Sequence, residues 1–534
     1  MDVLFHHGNL YTMNPNAPRA QAALARDGRF VAVGGNEEIL RLKTPGAQTV
    51  DLSGATAYPG LIDSHLHILN FARTARGLEL NACKTRVELF EKIRARASSC
   101  PEGTLIEGRG FNEDLWDDRR VPERRELDEA APNHPLILTR VCGHMAVGNS
   151  AAIALAGIKP DIKSPEGGEM DLDKGIFCEN AISLLCKEKD AGVETCKQLL
   201  LEGMNAAADA GLTAIFSDDF GTAGFSFETV ARAYRELEEE GKMPVRVVQQ
   251  CAFPDSESFS GFLKAGFSYG QGSDFYRIGP RKLYADGSLG ARTAWLSVPY
   301  ADRPDISGVP IYAQEELNSL AEESHRAGMP FIVHAIGDAA AESVLDAVEY
   351  ARARVPGTER LRDGIVHCQI TTRNTLARIA KLGVCVYAQP VFVEYDLHIC
   401  RARVGKALEE SSYNWKTLLD AGVCVSSGSD CPVETLAPAK NIYCAVTRKD
   451  YDGFPEGGWL PDQRLTVLEA IAGHTLNAAR AAGMEDRMGM IREGYLADLS
   501  VFSKDFSEIP AEEIQFQRPV MTVVGGRVRE PGKA

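Results

Sequence analysis

The sequence predicts an α/β protein: a (β/α)8 barrel of the TIM type, with a small β domain built from both termini and a subdomain inserted after the first barrel strand. Three observations predict it. Through the middle of the chain, short apolar runs alternate with amphipathic helical stretches, which is the pattern of βαβ units on a parallel sheet. At both ends, short β-rich runs are broken by Gly and Asn. One long stretch between the first two apolar runs keeps neither pattern.

Taken in order, Val3 to Met13 and Phe30 to Gly34 read as short antiparallel strands, as do Asp498 to Phe502 and Val520 to Val528. Residues 1–57 and 485–534 are therefore expected to form one composite β domain. His6 and His7 fall inside its first strand, where a surface or packing role is expected. Residues 58–484 are expected to form the barrel, with strands at Ala57–His67, Thr213–Asp218, Val245–Phe253, Arg281–Asp286, Phe331–His334, Gly364–Cys368, Val384–Gln389 and Val423–Asp430. Helices are expected at Glu228–Glu240, Gln314–Ala327 and Ala339–Arg354. The structural alternative is a doubly wound open sheet, which the absence of a G-x-G-x-x-G after the first strand weakens. Residues of about 84–200 read as an inserted subdomain, because a structureless loop of that size is implausible inside a compact domain. The charged runs Arg235–Lys242 and Arg352–Arg362 read as solvated helix ends.

The bulk properties narrow the function. The chain has 534 residues, 44% hydrophobic and 25% charged, an ordinary globular composition. Its formal net charge of −16 argues against nucleic acid and anionic membrane as partners, since both need basic patches. Its 13 cysteines contain no C-x-x-C pair and read as reduced thiols. The start of the chain lacks the charged and apolar regions of a signal peptide, and no apolar run reaches membrane-spanning length. A cytoplasmic location is expected.

In a (β/α)8 enzyme the active site lies at the C-terminal ends of the strands. The first predicted strand ends in His65-Leu66-His67, the fourth carries Lys282 and Asp286, the fifth ends in His334, the sixth in His367 and the eighth in Asp430. Alternate residues on a strand face the same side, so imidazoles two positions apart can reach one ion. A lone H-x-H is a weak signal. Several imidazoles and a carboxylate converging from separate strand ends make a metal site, suited to zinc, with iron, manganese or cobalt as alternatives. No G-x-S-x-G elbow points to a serine nucleophile.

The segment Pro59-Gly60-Leu61-Ile62-Asp63-Ser64-His65-Leu66-His67 resembles the first-strand signature of the amidohydrolase superfamily. Lys282 to Thr293, His334-Ala335-Ile336-Gly337-Asp338 and Ser427 to Glu434 resemble the branch of N-substituted formamide deformylases and N-acyl amino acid deacylase-like proteins. Thr475 to Arg480 and Gly494 to Asp498 fit as well, so the resemblance runs nearly end to end.

That resemblance implies roles. His65, His67 and Asp430 would bind the more buried metal and His334 and His367 a second, so the site would hold one or two ions. Lys282 would be carboxylated by CO2 and bridge them. Metal-activated hydroxide would attack the carbonyl of an amide-type small molecule, such as an N-formyl or N-acyl amine, an N-acyl amino acid or a cyclic amide. Asp430 would move the proton. His144, Asp286 and Arg292 are candidate substrate contacts; a capping role for His144 and an ion pair between Asp286 and Arg292 that fixes the loop are the alternatives. Cys83, outside the matched motifs, is expected to pack in a core. A homodimer is implied by the family alone. Deamination of a heterocyclic amine is the competing reaction, though such enzymes usually place a glutamate shortly after the fifth-strand histidine, where this chain has Ala-Ile-Gly-Asp338. A non-catalytic scaffold is the remaining alternative, disfavoured because all the expected ligands are present.

Overall fold

A computed structural model describes residues 2–80, 83–140, 145–165, 168–179, 181–185 and 191–532. They fall into two compact units: Met1–Ile68 with Leu200–Phe220 and Phe227–Ala534, and Leu69–Leu199 with Gly221–Ser226.

The first unit contains the barrel. Its strands are β1 (Leu61–Leu66), β2 (Leu212–Ser217), β3 (Arg246–Ala252), β4 (Tyr276–Tyr284), β5 (Phe331–Ala335), β6 (Gly364–His367), β7 (Cys385–Ala388) and β8 (Val425–Ser427). Each pairs in parallel with the next. Past the end of β8 the chain meets the end of β1: Asp430 N donates to His65 O at 2.8 Å, and His67 N to Cys431 O at 2.8 Å. The sheet thus curls into a TIM barrel. Ile62, Ala214, Phe216, Val248, Ile332 and Val366 belong to one buried cluster. Each such branched or aromatic side chain contributes about 1.5–3 kcal/mol by leaving water.

The intervening helices follow the apolar period. Phe227–Glu239 buries Val230, Ala231, Tyr234 and Leu237, one face at spacings of one, three and three residues, and the chain turns after it at Gly241 with φ 66°. Gln314–Arg326 and Asp338–Arg354 match the expected helices to within a residue at each end.

The eighth strand, Val425–Ser427, stops three residues short of the expected Asp430, and the first and fourth start elsewhere than expected. The first apolar run is two strands, because Gly60 breaks it: Thr56–Pro59 pairs in another sheet, and β1 starts at Leu61. A Cβ at Gly60 would lie 2.1 Å from Thr213 Oγ1, so only glycine permits that crossing. The fourth strand starts at Tyr276, five residues before the expected Arg281. Gly279-Pro280 looks like a break in sequence. Here it sits opposite an irregularity where the register shifts between Gln249 and Cys251, a place where a strand tolerates proline.

Both ends of the chain build one six-stranded sheet, in the order Arg527–Arg529, Pro519–Val524, Leu499–Phe502, Thr56–Pro59, Asn9–Tyr11, Arg19–Ala20. A four-stranded sheet holds Arg29–Gly34, Ala22–Arg26, Asp2–His6 and Gln48–Asp51. The first strand ends at His6, so His7 lies just outside it, with φ 53°.

The second unit has its own six-stranded sheet, including Ile106–Phe111, Leu136–Arg140 and Met145–Gly148, and a helix at Arg86–Ser99. Cys83 is buried with Leu80, Leu89, Ile93, Phe111 and Trp116. The described cysteines are free thiols. No helix among the described residues is long and apolar enough to cross a membrane.

Candidate active site

The side chains at the ends of β1, β5, β6 and β8 converge. His65 is the penultimate residue of β1, His67 directly follows the strand, and Asp430 lies three residues beyond β8. His65 Nε2 is 3.5 Å and His67 Nε2 3.2 Å from Asp430 Oδ1. One donor atom from each of the three lies within 4.8 Å of the others. Donors on one tetrahedral ion, at bonds of about 2.1 Å, sit roughly 3.4 Å apart, so this spacing suits an ion. His334, in β5, and His367, the last residue of β6, face each other, with Nδ1 and Nε2 2.9 Å apart. His367 and Asp430 have φ values of 78° and 57°, in the left-handed region that bulky residues rarely adopt.

The second ring nitrogens decide what the first can do. His65 Nδ1 donates to Gln250 Oε1 at 2.5 Å, and His367 Nδ1 to Gln389 Oε1 at 2.8 Å. Each glutamine is oriented because its amide donates to a backbone oxygen, Ser64 O at 3.0 Å and Tyr387 O at 2.9 Å. His334 Nε2 donates to Gly287 O at 3.1 Å. These bonds leave His334 Nδ1 and His367 Nε2 as two lone pairs pointed at one another, and His65 Nε2 as a lone pair facing a carboxylate. Lone pairs facing lone pairs repel; a shared cation turns the repulsion into attraction. The donor set therefore fits a divalent metal.

The electrostatics agree. Burial holds His65 and His334 well below the usual imidazole range and takes His367 down to about 4, so these rings are neutral at pH 7. His67 goes the other way. Burial depresses it, but its hydrogen bond to Asp430 prevails and takes it up to about 9. Burial pushes the Asp430 carboxyl up, and the His67 bond and the surrounding imidazoles outweigh that and hold it below the ordinary range. Asp430 thus needs a positive charge beside it, met by a proton on His67; a divalent cation supplies the same charge.

Lys282, within β4, is buried rather than at a surface strand edge. Its Nζ sits 3.8 Å above the Tyr284 ring and 3.9 Å from Asp218 Oδ2. Burial lowers its pKa, opposed by the charges of Asp218 and Asp430. A lysine held toward its neutral form is the nucleophilic form that CO2 needs.

Other candidates are placed differently. Asp286 uses both carboxylate oxygens to clamp backbone: Oδ1 accepts from Ile336 N at 3.0 Å, and Oδ2 from Gly337 N at 2.8 Å and Trp295 N at 2.9 Å. It lies 3.5 Å from His334 Nε2. Arg292 pairs with Asp302, at 3.1 and 2.7 Å, and not with Asp286, whose oxygens are taken by the backbone amides. His144 lies outside the described residues.

Three residues that the sequence reading did not select belong to the arrangement. Asp218, just beyond β2, accepts from Tyr284 OH at 2.6 Å, and its backbone oxygen accepts from His67 Nδ1 at 3.1 Å. Gln250 and Gln389 orient two imidazoles. Asp218 and Gln389 each close an apolar run, the same position that singled out the histidines.

A parallel barrel that gathers imidazoles and a carboxylate at one end of its strands defines a metal-dependent hydrolase. The amidohydrolase family model matches residues 48–529, and the chain belongs to that family. It is 30% identical to YtcJ of Bacillus subtilis, a protein named for the amidohydrolases, over 99% of both chains. It is 29% identical to the N-substituted formamide deformylase of Arthrobacter pascens, over 99% of this chain and 98% of that one. A metal-dependent hydrolase from Pyrococcus furiosus shares the fold with a TM-score of 0.81 at 28% identity, covering 95% of this chain and 100% of the other. The chain is a hydrolase of carbon–nitrogen bonds other than peptide bonds, dependent on a divalent metal.

Proposed function

We propose that the protein hydrolyses the C–N bond of a small amide, an N-formyl or N-acyl amine, an N-acyl amino acid or a cyclic amide. The observation that carries the reading is the convergence of imidazole lone pairs whose protons are committed to Gln250, Gln389 and Gly287. His65, His67 and Asp430 would hold one ion, and His334 and His367 a second. Lys282, carboxylated, would bridge them: its amine nitrogen bonds to CO2, loses a proton and becomes an anionic carbamate with two oxygens. Imidazole and carboxylate donors favour zinc. Residues 1–57 with 485–534 would then form a composite domain beside a 58–484 barrel carrying the 84–200 insertion.

A divalent cation bound there supplies Lewis acidity, polarising the amide carbonyl and acidifying water. Asp430, ionised at neutral pH, takes the proton of the attacking water. It returns that proton to the departing nitrogen as the tetrahedral intermediate collapses. His67 and His334 keep side-chain exposures of 24% and 16%, so they are the histidines through which a substrate meets the site.

Elemental analysis and a panel of amides test the reading together. The expected result is stoichiometric zinc and hydrolysis of at least one N-formyl, N-acyl or cyclic amide. Asp430→Asn should lower kcat by about 10²–10⁴, the usual size of a general acid–base contribution. Metal-free protein, or ammonia release from heterocyclic amines with every amide untouched, would falsify it.

A further inference from the structure

We propose a second metal site, separate from the catalytic centre, formed by His6, His7 and Asp51 at the edge of the four-stranded N-terminal sheet. It would take a borderline divalent transition ion such as zinc, nickel or copper(II).

The geometry arises from one departure in the backbone. Adjacent residues of a strand point to opposite faces, so a His-His pair inside a strand would be split. The strand ends at His6, and His7 turns into the left-handed region with φ 53°. The two rings thereby come edge to face with centroids 4.3 Å apart. The parallel pairing of Asp2–His6 with Gln48–Asp51 sets Asp51 directly opposite His6. His7 Nδ1 lies 3.2 Å from Asp51 Oδ2, and one donor atom from each of the three residues falls within 4.8 Å of the others. The separation of the His7 and Asp51 donors is close to the roughly 3.4 Å between neighbouring donors on a tetrahedral ion.

The frame around the donors is fixed. His7 N donates to Asn36 Oδ1 at 2.8 Å, and Gly54 N donates to His7 O at 2.7 Å. Asp51 Oδ1 accepts from Ser53 N at 2.8 Å, which leaves Oδ2 for the ion. A second observation points to a ligand. His6 is nine-tenths buried, and its Nδ1 has no hydrogen-bond partner among the described residues. A buried imidazole nitrogen left unpaired is costly, and a metal bond would satisfy the ring. Two imidazoles with one carboxylate favour zinc, nickel or copper over magnesium and calcium, which prefer all-oxygen sets.

Such an ion would join the edge strand Gln48–Asp51 to its inner neighbour. It would stabilise the sheet without taking part in the reaction.

The test uses the full-length protein with its catalytic metal retained, titrated with Zn²⁺, Ni²⁺ and Mg²⁺ in a calorimeter while metal content and turnover are followed. The expected result is one additional equivalent of Zn²⁺ or Ni²⁺ and none of Mg²⁺, with a rise in Tm on binding. His7→Asn keeps a residue that tolerates positive φ, and Asp51→Asn keeps the acceptor for Ser53. Both side chains are half exposed, so both variants should fold. Each should weaken the additional equivalent by at least about tenfold, the lower limit even for outer-shell changes, and leave catalytic metal content and turnover unchanged. No additional equivalent in the unmodified protein, or one that either variant binds as tightly as before, overturns the proposal.

Discussion

At the scale of residues, the site depends on where protons are not. His65 and His367 each spend their Nδ1 proton on a glutamine carbonyl, and that leaves Nε2 free to ligate. A glutamine suits this because its amide is neutral and its orientation is set by a backbone acceptor. Replacing Gln250 or Gln389 with leucine removes the acceptor and lets either ring rotate or change tautomer. Each variant should lose about 10–100-fold in metal affinity, the size usual for outer-shell partners. Competition with a chromophoric chelator measures it; affinities equal to that of the unmodified protein would show that the glutamines merely fill space. Gln250 also marks the limit of sequence reading. Histidines and an aspartate at strand ends stand out against apolar runs. Gln250 sits among polar and apolar neighbours inside the third run, and only its distance to His65 reveals its task.

At the scale of elements, the barrel seam and the site are the same piece of chain. The turn after β8 must bring Asp430 against His65 while the backbones of β8 and β1 nearly touch. Gly428 makes that approach possible. A Cβ there would lie 2.6 Å from His65 N and 2.9 Å from both His65 O and Asp63 Oδ1. Two of these atoms are backbone, which cannot move aside without shifting β1. Gly428→Ala should therefore cost about 1–3 kcal/mol of stability, the range for overpacking, and lower the metal content in parallel. Measuring the two separately distinguishes the seam from a simple packing defect: lost stability with full metal occupancy would refute the link. Element existence was legible because parallel strands buried on both faces read as continuous apolar runs. Two of the boundaries that failed, at Gly60 and at Gly279-Pro280, are where a close approach or a bulge needed residues that read as turns.

At the scale of the whole molecule, a buried ion pair ties the C-terminal segment to the barrel. The likeness of the two ends was visible in their short β-rich runs, but no local pattern shows which strand pairs with which; Leu499–Phe502 finds Thr56–Pro59 only in three dimensions. Arg246, the first residue of β3, meets Asp498, which precedes the strand Leu499–Phe502. Its Nε donates to Oδ2 at 2.7 Å and its second guanidinium nitrogen to Oδ1 at 2.9 Å. Gly525 N donates to the same Oδ1 at 2.7 Å, so one carboxylate joins β3, the sheet strand and the turn between Pro519–Val524 and Arg527–Arg529. Both side chains are almost wholly buried, at 4% and 6% exposure. Desolvation offsets much of the attraction within such a pair, yet losing one partner strands the other charge. Asp498→Asn and Arg246→Met should each cost about 3–5 kcal/mol, read from urea unfolding. The double variant should cost less than the sum, because it leaves no stranded charge. Strictly additive losses would mean that the two residues stabilise separate parts of the fold, and that the C-terminal strand is held by its sheet hydrogen bonds alone.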